Sequence, residues 1–183
     1  MSEDTTVLYD RIANRFGDLL DRCPATGWAA PSPCPGWTAR DVAAHVIRNH
    51  RRALAGLAGL DYAAPAADED IHRAWREAAD GVRGALRDPD RAARPMGEEF
   101  GSITFAEFIR RMACADTLIH EWDFARATGQ DETLDAGGVA VAIEMLMPED
   151  EQIRMPGAFG GKIEAGADAD PQTRLLNFLG RTV

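Results

Sequence analysis

Lysine is almost missing from this chain: Lys162 stands alone, and every other basic side chain is an arginine. Basic charge as a whole is short, with 20 Lys and Arg against 30 Asp and Glu, a formal net charge of −10. A nucleic-acid binder needs a basic stripe to neutralise phosphates. The nearest approach to one is Arg48, Arg51 and Arg52 on a single helix, so nucleic acid is excluded as a partner. The same balance argues against docking on an anionic membrane. Long apolar runs are absent too, and nothing reaches the 18 or more residues that a bilayer-spanning helix requires. The acidic start, Met1-Ser2-Glu3-Asp4, is wrong for a signal peptide. Cysteine is scarce and odd in number. Cys23, Cys34 and Cys114 show no paired spacing, and they read as reduced thiols in a cytoplasmic protein. No repeat or low-complexity segment is visible. What remains is a chain of 183 residues, 45% of them hydrophobic, which suffices for one core and reads as a single domain over 1–183.

Helical periodicity organises the chain. Val7, Leu8, Ile12, Phe16, Leu19 and Leu20 make one apolar stripe, predicting a helix from Thr5 to Asp21. Pro24, Pro31, Pro33 and Pro35 then force an irregular crossing loop. Thr38 with Asp41 three residues on is a capping box, and Trp37 and Val42 stand at the two positions of a hydrophobic staple. They open a second helix reaching about Leu57. Ile71, Trp75, Ala78, Val82 and Leu86 mark a third over Asp68 to Leu86. Pro89, Pro95, Gly97 and Gly101 make residues 88–103 a long loop or small hairpin. The fourth helix repeats the second's signature. Thr104 and Glu107 form the box and Ile103 and Phe108 the staple, with a run to Thr128 and a Gly129 stop. A shorter helix is predicted over Gly138 to Met147, and an amphipathic piece over Leu175 to Leu179. The fold class expected is all-α: a four-helix bundle with a long crossing loop and a short irregular or helical tail. The apolar stripes of the last segments can seal the bundle or form a homodimer face.

Polar groups interrupt these stripes. On the fourth helix the apolar face Phe105, Phe108, Ile109, Met112 extends at spacings of three and four to Asp116, Ile119, His120 and Asp123. Asp116 and His120 therefore project from one side, a turn apart. A buried carboxylate needs a strong partner. A divalent metal would satisfy both groups, and so would a plain Asp–His hydrogen bond. The second helix has the face Val42, His45, Val46, Asn49, Ala53, Leu57, with His45 in its core stripe. Two histidines and a carboxylate on adjacent helices make a three-ligand metal site with open positions, as catalytic metals require. His50 and His72 lie off this geometry and are expected to face solvent. Asp123 reads as a supporting or surface acid. Glu121 points about 100° around the helix from His120. Cys34 reads as a packed loop residue, although its place before a helix N-terminus would favour a thiolate. Arg40 and Arg126 can pair with Asp41 and Asp123 or meet an anionic substrate.

The run Pro33-Cys34-Pro35-Gly36-Trp37-Thr38-Ala39-Arg40-Asp41-Val42-Ala43-Ala44-His45 resembles the opening motif of the DinB-like superfamily, and more narrowly that of the mycothiol-dependent maleylpyruvate isomerase N-terminal domain. Asp116 through Gly129 resembles that family's second metal motif, and Leu175 through Arg181 the ending of many single-domain members. The resemblance implies a bundle holding a divalent metal, zinc first and nickel second, through His45, Asp116 and His120. The isomerase has Glu where Asp116 stands, and it carries a further C-terminal domain. The function implied is a transferase or isomerase in which the metal activates mycothiol, a small-molecule thiol, toward an electrophilic substrate. The alternative is a metal-binding or stress-related module without turnover.

Overall fold

The computed structural model describes residues 3–60, 62, 69–98, 102–154 and 159–183. It is all-α. Helix α1 spans Thr5–Asp21, with the Asp4 carboxylate accepting from the Thr6 amide at 2.7 Å. The predicted stripe is buried except for Val7, which is half exposed, and Tyr9 and Ala13 are buried beside it. Between Cys23 and Thr38 the chain closes on itself through Ser32 N–Trp37 O and Ala39 N–Ala30 O bonds of 2.8 and 2.9 Å. That closure carries Cys34 and Trp37 back against the bundle. Helix α2, Ala39–Ala58, starts with the full capping box: Thr38 Oγ1 accepts from the Asp41 amide and Asp41 accepts from the Thr38 amide. Helix α3 is Ile71–Arg87, capped by Asp70; its predicted start at Asp68 lies outside the described residues.

A one-turn helix α4 (Pro89–Ala92) and an antiparallel bridge between Pro95 and Thr104 come next, the latter in keeping with the hairpin reading; Gly101 lies outside the described residues. The fourth bundle helix is not one continuous α-helix. It begins as α5, Phe105–Phe108, passes through a π turn at Ile109–Ala113, and continues as α6, Cys114–Thr128. The cap at Thr104 forms only half of the predicted box. Thr104 Oγ1 accepts from the Glu107 amide, while the Glu107 carboxylate meets Arg111 Nε at 3.3 Å. The π turn puts an extra residue into the turn and rotates the rest of the helix by roughly 100°. Met112, expected in the apolar face, is consequently 54% exposed, and Ala113 takes the inward place. Gly129 ends α6 in the left-handed conformation, φ +68°. Helices α7 (Ala136–Leu146) and α8 (Pro171–Phe178) complete the described chain.

Helices α1 and α2 each pack against both α3 and α6, so α2 and α6 are neighbours and α1 lies diagonally across from α2. Helix α7 covers the outer side of α6, and α8 packs on α7. With partners on all sides, α6 is buried almost around its whole circumference from Cys114 to Ala125. The centre is aromatic. Phe16 of α1 meets the Trp75 ring of α3 edge-on at 4.9 Å and Phe124 of α6 at 6.1 Å. His50 belongs to this core, correcting the expectation that it faces solvent. It is fully buried beside Tyr9 and Trp75, and Nδ1–H donates to Val46 O at 2.9 Å. Burial pushes its pKa down, so the ring is neutral. His72 stays half exposed and meets Asp21 Oδ1 at 3.0 Å. No helix among the described residues is long and apolar enough to cross a membrane.

Candidate metal centre

The α2–α6 contact brings His45, Asp116 and His120 together. Asp116 Oδ1 lies 3.2 Å from His45 Nε2 and 3.7 Å from His120 Nε2, and the three ligand atoms sit within 4.8 Å of one another. A tetrahedral cation with ligand bonds near 2.05 Å sets its ligands about 3.3 Å apart. The spacing of the triad is therefore close to what one small divalent ion demands. The side chains are 20%, 27% and 10% exposed in the order His45, Asp116, His120, so each is partly accessible to solvent. The Trp37 ring walls the site, 4.9 Å from His45 and stacked 6.0 Å from His120. Asn49 Nδ2 donates to Asp116 Oδ2 at 3.1 Å and lies 2.9 Å from His45 Nε2. Arg48 reaches His45 Nδ1 at 2.8 Å.

The electrostatics prepare the carboxylate and hold the imidazole protonated while no cation is bound. Burial alone would raise the Asp116 pKa; His120 and His45 beside it outweigh this and hold it at about 2. Burial likewise opposes a charged His120, but Asp116 and the hydrogen bond to Asp123 push its pKa up to about 10. Asp123 is held well below the carboxylate range against its burial by His120 and Arg181.

A layer behind the triad is only partly legible in the sequence. Asp123 is fully buried, not a surface acid, and its Oδ2 accepts from His120 Nδ1 at 3.0 Å. Its partner on the far side is not Arg126 but Arg181, with Nε–Oδ1 and Nη2–Oδ2 distances of 2.9 and 2.8 Å. Arg126 instead pairs with Glu132 and lies over the Trp122 ring, and Arg40 donates to Glu69 O. Arg181 is far from Asp123 in sequence, and no spacing rule connects a tail arginine to a bundle helix. Cys34 joins the same group. Its Sγ donates to Asp123 Oδ2 at 3.3 Å and lies 3.9 Å from His120 Nδ1, so the proline loop reaches the edge of the site. All three cysteines are free. A cleft between α1 and α3, lined by Asn14, Asp21, His72, Trp75 and Arg83, shares none of these residues. Several of its polar groups are paired, Arg83 with Asp10 and Asn14, His72 with Asp21.

Glu121 points away from the triad, as its place on the helix predicts. It is fully buried, neither carboxylate oxygen has a hydrogen-bond partner, and Arg15 Nε stands 3.7 Å off without one. Burial raises its pKa well above normal, Arg15 opposing and Asp135 adding to the rise. An acid with a raised folded-state pKa stabilises the fold most below its unfolded value, near 4.5, and loses that contribution as pH rises. Glu121→Gln keeps the shape and removes the titration. Urea unfolding at pH 5 and pH 8 is expected to show the variant gaining on the wild type by about 1–2 kcal/mol at the higher pH. Parallel pH dependences would contradict this account of Glu121.

Comparison with known proteins places the chain in a family. The model of the mycothiol maleylpyruvate isomerase N-terminal domain matches residues 9–125, a span containing His45, Asp116, His120 and Asp123. Two proteins of Mycobacterium tuberculosis, uncharacterized protein MT0763 of strain CDC 1551 / Oshkosh and uncharacterized protein Rv0738 of strain ATCC 25618 / H37Rv, are each 28% identical over 185 residues. The alignment covers 98% of this chain and 99% of each relative. No solved structure gives a significant match. The chain belongs to the mycothiol maleylpyruvate isomerase N-terminal domain family.

Proposed function

We propose that His45, Asp116 and His120 hold a divalent cation, zinc first and nickel second, and that the site activates mycothiol toward an electrophilic small molecule. The observation that carries this is the convergence of two Nε2 atoms and one carboxylate oxygen from two helices, each side chain partly accessible to solvent. The donor set, two imidazoles and a carboxylate, suits zinc or nickel better than magnesium or calcium. A cation bound there lowers the pKa of a coordinating thiol, supplying a thiolate at neutral pH.

The chain's own residues do the rest. Asn49 orients the Asp116 carboxylate through Oδ2 and leaves Oδ1 turned toward both histidines. Trp37 covers the imidazoles on one side and limits water there, while the thiol approaches from where the three side chains reach solvent. Attack on an electrophilic carbon forms the C–S bond as the carbon's leaving group departs, chloride in a chlorinated electrophile, and gives transfer; addition to a conjugated double bond and subsequent departure of the thiol gives isomerisation. Free cysteines and a small-thiol co-substrate fit a cytoplasmic setting. The test is turnover. Metal-loaded protein given mycothiol and monochlorobimane is expected to form the adduct well above the rate of His45→Ala. Equal rates, with metal present in the wild type, would favour the module without turnover.

A further inference from the structure

We infer that Asp123 and Arg181 are positioning residues for the metal centre: they fix the His120 ring so that Nε2 faces the cation, which makes the C-terminal segment part of the centre. The inference rests on the metal reading of the triad. His120 uses its two nitrogens for different tasks, Nε2 toward Asp116 and Nδ1 toward Asp123. Asp123 can only accept when ionised, so the ring presents Nδ1–H to it, and Nε2 is the nitrogen left to give up its proton to a cation. A carboxylate behind a metal-binding imidazole does this in many metal sites, setting both tautomer and ring angle.

Asp123 is itself held. Both its oxygens take a donor from Arg181, and Oδ2 takes Cys34 Sγ–H besides His120. The bidentate guanidinium leaves the carboxylate no freedom to turn away from the ring. Cys34, His120 and Asp123 also cluster closely enough to suggest a second cation site. Arg181 already places its positive charge on both Asp123 oxygens, so that trio is read as support for the ring.

Arg181 arrives by a tight route. Gly180 adopts φ +82°, and a Cβ there would lie 2.8 Å from Gly161 O and 3.0 Å from Gly160 C. Only glycine lets the chain turn this close to the 160–161 backbone. The Arg181 amide then returns to Leu176 O at 2.9 Å, and its guanidinium packs over Phe159. The family match ends at residue 125, so this arginine comes from outside the matched span.

The test uses the full chain. Zinc affinity, from competition with a chromophoric chelator, is expected to fall about 10–100-fold in Asp123→Ala and Arg181→Gln. Asp123→Asn keeps an acceptor for Nδ1–H, and Arg181→Lys keeps the charge; both are expected to recover part of the loss. A readout that a merely structural role would not move is the His120 Nδ1–H signal of the zinc-loaded, ¹⁵N-labelled protein. It is expected to be protected from exchange in the wild type and lost in Asp123→Ala, with circular dichroism confirming that each variant is folded. Unchanged affinity and a retained Nδ1–H signal in folded variants would overturn the positioning role alone. A wild type that binds no zinc would overturn the metal reading and this inference with it.

Discussion

Elemental analysis of the purified, metal-loaded protein is expected to find close to one divalent ion per chain, and none retained after dialysis in His45→Ala or His120→Ala. In the proposed centre each histidine would supply one of three converging ligand atoms, so either change would leave a two-ligand remnant. Loss of a direct ligand costs more than the roughly 10–100-fold typical of an outer partner. The affinity is also expected to depend on pH in a definite sense. Without a cation the two aspartates keep the His120 imidazole protonated up to about pH 10, whereas Asp116 is ionised from about pH 2 upward. The cation must therefore displace a proton from His120 and none from Asp116. Binding thus releases the His120 proton, and the apparent affinity climbs with pH over the neutral range. Stoichiometric metal retained by both variants would remove the triad; a pH-independent affinity would remove His120 alone.

Much of this geometry can be read from the sequence because its causes are local. Thr38 with Asp41 fixes where α2 starts, which sets the phase of His45 less than two turns later. Asp116 and His120 are one turn apart on α6 whatever precedes them. The adjacency of α2 and α6 is a choice among few bundle topologies. The features that escape sequence reasoning have non-local causes. Nothing in Ile109–Ala113 announces a π turn, which trades one hydrogen-bonding pattern for another at little cost in composition, so periodicity puts Met112 on the wrong side. His50 reads as solvent-facing because one helix's pattern says nothing of the Tyr9 and Trp75 rings brought to it by α1 and α3. Arg181 requires knowing how the tail folds back, which depends on a backbone approach between Gly180 and Gly160–Gly161. Asp123 is ambiguous in sequence for the same reason, its environment being set by that arginine.

Fold and site can be separated by a second large effect. Phe16→Ala is expected to destabilise the protein by about 3–5 kcal/mol, a substantial part of the roughly 5–15 kcal/mol typical of a domain. Phe16 is fully buried and joins the Trp75 ring of α3 to Phe124 of α6, so truncation opens a cavity where three helices meet. Its ring meets those two aromatics, neither of them a member of the triad, and the folded variant is expected to keep its metal. Zinc added at about a hundred times its dissociation constant should then raise stability by about 2.7 kcal/mol in the wild type and in Phe16→Ala alike. In His120→Ala the same zinc should add nothing, whatever the variant's own stability. A Phe16→Ala protein that loses its metal while still folded would mean that the aromatic centre sets the α2–α6 spacing on which the triad depends.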